Sequence, residues 1–206
     1  YLATERVTLF VLGFLSFTLI CYARPLLDIW VGIEAAQSSA TILVLLACGF
    51  WLAGLVYNLH SAAVAMARPQ IFIYVNIAAI PLYAITLYFS IKLLGLYGAA
   101  ASVIILNIYY IIFLIVPVQR GIIGVSTIEW LVKAVIPSVL ICAVTIVLPR
   151  IVILRFTDET SILPALITLA VSACMYLGLH VFVFGIPDII RQHSTFKASL
   201  ARLNRD

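Results

Sequence analysis

Gly95-Leu96-Tyr97-Gly98-Ala99-Ala100-Ala101-Ser102 stands at the join of two long apolar runs, Ile71 to Ile91 and Leu93 to Val118, parted only by Lys92. Each run meets the roughly 20 apolar residues that a helix rising 1.5 Å per residue needs to cross the hydrocarbon core. The chain between them suffices only for a tight helix-to-helix reversal at the membrane surface. Gly95 and Gly98 relax the backbone at that reversal. Gly98, Ala99, Ala100, Ala101 and Ser102 open the second helix with a face that another helix can approach closely, and Ile104 is expected on its far side. This stretch predicts a transmembrane hairpin.

Outward from the hairpin the theme repeats. The chain is 65% hydrophobic and 10% charged, with a mean hydropathy of +1.23, against roughly 45–50% and 25% in soluble domains. One soluble core could not hide so much apolar surface, so the sequence predicts an all-α integral membrane protein. Six spans are expected, at about 7–22, 40–67, 71–91, 93–118, 128–148 and 162–184. Arg24 is expected to snorkel outward at the end of the first span, and Trp30 to sit in the headgroup belt. Glu34 to Ser39 reads as a polar linker, Pro81 as a kink in the third span, and Gly185-Ile186-Pro187 as the close of the sixth. In the tail, 188–206, Ile189, His193, Phe196, Leu200 and Leu203 fall on one helical stripe, with Arg191, Lys197, Arg202 and Arg205 elsewhere. That pattern suits a basic amphipathic helix on an anionic leaflet, with a polar tail as the alternative.

Loop charge orients the spans. Six crossings put both chain ends on one side, together with Arg6, Arg68, Arg120, Lys133, Arg191, Lys197, Arg202 and Arg205. Arg24, Lys92, Arg150 and Arg155 fall on the other. The positive-inside bias then makes both ends cytoplasmic. The net charge of +4 is accounted for by this topology and is no sign of nucleic-acid binding.

The chemistry on offer is sparse. No nucleophile elbow, metal-ligand spacing, phosphate loop or carboxylate pair is visible, so no enzyme, cofactor or metal is expected. Cys21, Cys48, Cys142 and Cys174 all lie inside apolar runs and read as buried thiols. No Asp or Glu falls at mid-span, where ion-coupled carriers use acids. Asn76 and Asn107 occur at similar depth in the two hairpin helices, either as interhelical glue or as a polar cavity wall. Tyr83 is a candidate for an aromatic lining that stacks on sugar rings.

In order and spacing, several segments resemble the C-terminal part of a polysaccharide or O-antigen flippase. This is the polysaccharide-transport branch of the multidrug/oligosaccharidyl-lipid/polysaccharide exporter superfamily. The segments are Leu26-Leu27-Asp28-Ile29-Trp30-Val31-Gly32, then Glu34-Ala35-Ala36, then a small-residue span ending Ala65-Met66-Ala67-Arg68-Pro69-Gln70, then a span with Asn76 and the Gly95–Ser102 reversal. The resemblance covers about residues 10 to 118, and the last two spans match by hydropathy alone. It implies two six-helix lobes around a central cavity, working by alternating access in the bacterial inner membrane. This chain would be part of the C-terminal lobe, with a lipid-linked oligosaccharide as substrate and the N-terminal lobe as its partner. The chain begins at Tyr1, and its methionines are Met66 and Met175, so it reads as a fragment of such a protein. A drug or cation exporter of the same superfamily, a membrane glycosyltransferase or acyltransferase, and a membrane anchor are the competing readings.

Overall fold

The computed structural model describes residues 1–156 and 162–203, and the side chains of all of these except 116, 122 and 184–203. Among the described residues every regular element is helical. Six helices are long and apolar enough to cross a membrane: α1 (Leu2–Val31), α2 (Ile33–Ala65), α3 (Gln70–Leu94), α4 (Leu96–Gly121), α5 (Thr127–Leu154) and α6 (Ile162–Val183 in its apolar part). The protein is an all-α membrane bundle.

α1 lies along α2, α2 along α4, and α3 against α4, while α5 and α6 pack on another side of α1. α3 is the outlying helix of the hairpin, burying only Phe72 and Ala79. Tyr74, Ile77 and Ile80 point outward from it, as lipid-facing side chains do. Two apolar cores result. One gathers Leu9, Leu59, Phe72, Leu114 and Trp130 from five helices. The other joins Tyr22, Ile141, Ile146 and Tyr176 of α1, α5 and α6.

The helices overrun the apolar stretches that announce them. Helical hydrogen bonds are indifferent to side-chain polarity, so the backbone continues helically past the hydrocarbon. The expected linker Glu34–Ser39 is instead the opening of α2, and the turn is Gly32 alone, at φ 88°. At 33 residues, α2 would be about 50 Å long, well beyond the ~30 Å core. α6 runs helically to Leu203, straight through Gly185-Ile186-Pro187, instead of closing there.

Prolines shape the helices in an unexpected way. α3 runs from Gln70 to Leu94 as one helix with Pro81 inside it, whereas α1 leaves helical geometry at Tyr22 (φ −119°, ψ 18°), three residues before Pro25. In α4 and α5, π-helical turns at Ile111–Ile115, Leu131–Val135 and Ala143–Val147 each end two residues before a proline: Pro117, Pro137 and Pro149. A proline ring clashes with the carbonyl four residues back. Here those carbonyls belong to Phe113, Lys133 and Thr145, each in the middle of a widened turn. The π turns absorb the clash and let the helix continue.

Candidate functional site

The hairpin brings Asn76 and Asn107 to one place. Antiparallel packing sets the start of α3 against the second half of α4, and the two amides line a cleft of about 240 Å³ with Tyr57, His60, Phe72 and Tyr110. The Tyr110 hydroxyl donates to Asn76 Oδ1 at 2.8 Å across the hairpin, and the Tyr109 hydroxyl donates to the Val75 carbonyl at 3.2 Å. Asn107 is buried, and its Nδ2 donates to Val103 of its own helix at 2.9 Å. Asn76 is therefore interhelical glue through Tyr110, while Asn107 is not bonded across the pair. Both amides still face the cleft. His60 meets Phe72 edge-on at 4.9 Å. Tyr83 stands half-buried two turns beyond Asn76, outside this lining. Tyr57 and Tyr110 supply the aromatic walls in its place. Tyr57 had no sequence signal beyond standing one residue before Asn58 in an apolar run.

At the same end of the bundle lies a buried carboxylate that loop reading misses. Glu5 is 0% exposed, in the first turn of α1. Asn58 Nδ2 donates to its Oε2 at 2.9 Å and to Thr8 Oγ1 at 2.8 Å. The buried indole N–H of Trp130 lies beside the carboxylate without an aligned bond, and Oε1 has no partner. Gln119, also 0% exposed, donates to the Tyr1 hydroxyl at 3.3 Å. Arg6 follows Glu5 in sequence and Lys133 lies three residues beyond Trp130, and both make contacts other than to this carboxylate. Arg6 Nε donates to the Lys133 carbonyl at 3.0 Å, and Lys133 pairs with Glu129 at 2.6 Å. The expectation that no acid falls at mid-span is untouched, since Glu5 is terminal. Its burial is the new fact. The available signal was spacing: Glu5, Thr8 and Leu9 share one helical face.

The opposite end holds Arg24 and Arg150. Arg24 is not simply turned outward. It lines a cleft of about 510 Å³ together with Arg150, Cys21, Gln37 and Thr41. Arg150, expected at a helix exit, is 5% exposed. Asp28 is buried one turn beyond Arg24, both carboxylate oxygens lacking a hydrogen bond. Trp30 is 83% exposed, free to meet a headgroup layer.

The hairpin turn is tightly specified. Gly95 takes φ 60° and passes its N–H to the Ile91 carbonyl at 2.8 Å. A Cβ on Gly98 would overlap the Ser90 carbonyl of α3. Ser102 is 0% exposed and donates to the Ala99 carbonyl at 2.7 Å. Ile104 is half-buried, and its backbone nitrogen lies 3.6 Å from where a Cβ on Gly49 of α2 would stand. Arg191, Lys197 and Arg202 belong to the helical continuation of α6, with side chains outside the described residues, and Arg205 lies outside them altogether. No family model matches this chain, and neither a curated protein nor a solved structure matches it.

Proposed function

We propose that this chain forms the C-terminal part of an exporter that moves a lipid-linked oligosaccharide, such as a lipopolysaccharide O-antigen precursor, across the bacterial inner membrane. Both chain ends face the cytoplasm in this reading, and an N-terminal lobe of the same protein supplies the opposing cavity wall. The observation that carries it is the cleft between α2, α3 and α4, where Asn76, Asn107, Tyr110, Tyr57 and His60 converge. A sugar presents hydroxyls that donate and accept, and apolar ring faces. Amides and phenols answer the first and aromatic rings the second. Without such partners each hydroxyl entering hydrocarbon would lose its hydrogen bonds, at a cost of roughly 2–7 kcal/mol. At about 240 Å³ the cleft is smaller than the ~300–1,000 Å³ of complete ligand pockets, in keeping with one wall of a shared cavity. Transport requires no bond to be made or broken, and the lining side chains supply binding groups.

Complementation tests the reading. The protein extended upstream by its remaining helices should restore surface polysaccharide to a host lacking its own oligosaccharide flippase. Asn76→Leu with Tyr110→Phe should lower that output at unchanged protein abundance. Failure of the unaltered extended protein in substrate-matched hosts, with expression verified, would overturn the proposal.

One observation favours a second reading. An exporter of drugs or cations needs an acid shielded from water, and Glu5 is such a group. If that role holds, Glu5→Gln should abolish efflux of a cationic dye. An oligosaccharide flippase that makes no use of the acid should keep its polysaccharide output in the same variant.

A further inference from the structure

Pro25 has no backbone N–H, so the Cys21 carbonyl, four residues earlier on α1, loses its helical partner. The guanidinium of Arg150 takes that place: Nε donates to the Cys21 carbonyl at 3.2 Å. Its carbon lies 5.0 Å from the centroid of the Tyr22 ring, where cation and aromatic face attract. The break in helical geometry at Tyr22 belongs to the same arrangement. One edge of the guanidinium is thereby fixed by α1. Among the described residues the Cys21 bond is the only hydrogen bond the Arg150 guanidinium makes, and no carboxylate forms a salt bridge with it.

A 95%-buried cation with unused N–H groups is costly unless an anion or water meets it. The cleft of about 510 Å³ stands where such a partner would sit, and it falls within the size range of ligand pockets. Arg24 is also in its wall, and Gln37 and Thr41 of α2 add an amide and a hydroxyl to the lining. Asp28 is not part of that lining. All these residues lie toward one end of the bundle: late in α1, early in α2 and late in α5. Headgroup phosphates lie at that level of a bilayer. A planar guanidinium fork matches phosphate oxygens in pairs, and neutral donors complete their coordination.

We propose that the cleft between α1, α2 and α5 binds a phosphate group, held by the Arg150 guanidinium in a lining that Arg24, Gln37 and Thr41 share. The proposal is independent of the transport reading, because any bilayer offers phosphate at this depth. The same chemistry can come from a lipid headgroup or from a soluble phosphate ion.

The test uses the purified protein in a phosphate-free nonionic detergent. Native mass spectrometry should show retention of dioleoyl phosphatidylglycerol in preference to dioleoylglycerol, which lacks phosphate. Arg150→Gln should weaken that retention by about tenfold or more, the scale of a lost charge-assisted bond. Because that variant also uncaps the Cys21 carbonyl and can misfold, Gln37→Leu combined with Thr41→Val serves as the second arm and should weaken retention several-fold. Inorganic pyrophosphate distinguishes the source. Displacement of the lipid by it supports a site for soluble phosphate, and retention despite it supports a headgroup site. Equal retention of the two lipids by the unaltered protein would overturn the proposal, as would undiminished phosphatidylglycerol binding in the folded Gln37/Thr41 variant.

Discussion

At the scale of single residues, Glu5 and Asn58 show how a bundle this apolar tolerates a carboxylate. The Asn58 amide spends its donor group on Glu5 Oε2 and Thr8 Oγ1 together, tying the start of α1 to the end of α2. Replacing Asn58 by Leu leaves the carboxylate without that donor, while Glu5→Gln keeps a group that can hydrogen-bond and removes the charge. Asn58→Leu should therefore cost about 1–3 kcal/mol of stability, and Glu5→Gln markedly less. Thermal unfolding of the two variants in one detergent measures this, and an equal loss would mean that packing, not the hydrogen bond, holds the pair. The candidate site was legible to the extent that helical register fixes depth: Asn76 and Asn107 had to meet if α3 and α4 were antiparallel neighbours. Glu5 and Arg150 were not legible, because both flank apolar runs in sequence. Their burial depends on which helices pack beside them, and hydropathy carries no information about that.

At the scale of elements, the number of helices could be read directly, since each apolar run is long enough to cross and too apolar to stay in water. Their ends could not. Gly32 turns the chain in a single residue, so the polar segment Glu34–Ser39 serves as helix rather than linker. Pro25, Pro117, Pro137 and Pro149 likewise mark places where helices bend or widen instead of places where they stop. The hairpin turn gives the sharpest test at this scale. Gly98 sits where the opening of α4 presses on the backbone of α3 at Ser90, and no side-chain rearrangement can make room against a carbonyl. Gly98→Leu should sharply reduce the folded yield in detergent. Because Ile104 is half-buried, the proper control is Ile105, which is 44% exposed. Ile105→Phe should leave the yield nearly unchanged, and equal yields for the two variants would mean that the turn can open without penalty.

At the scale of the whole molecule, the bundle is polar at both ends, with unlike chemistry. The buried acid and the amide cleft occupy the end formed by the start of α1 and the close of α2, and the arginine cleft occupies the other. An even number of crossings puts the beginning of α1 and the α4–α5 connection on one face of the membrane, and the α5–α6 connection on the opposite face. The first face collects eight of the 12 Lys and Arg residues in the positions counted by loop, and the positive-inside bias is the ground on which we propose that it is cytoplasmic. In the proposed orientation the acid and the amide cleft lie toward the cytoplasm, and Arg24 and Arg150 stand at the far leaflet. Ser126 precedes α5, and Phe156, 83% exposed, follows it, so the two positions report opposite faces of a single helix. In a variant with the four native cysteines replaced by serine, Ser126→Cys should resist a membrane-impermeant thiol reagent applied to intact cells, and Phe156→Cys should react. Permeabilisation should then expose the first. The reverse pattern would invert the molecule, place the arginine cleft at the cytoplasmic leaflet, and count against the proposed direction of transport.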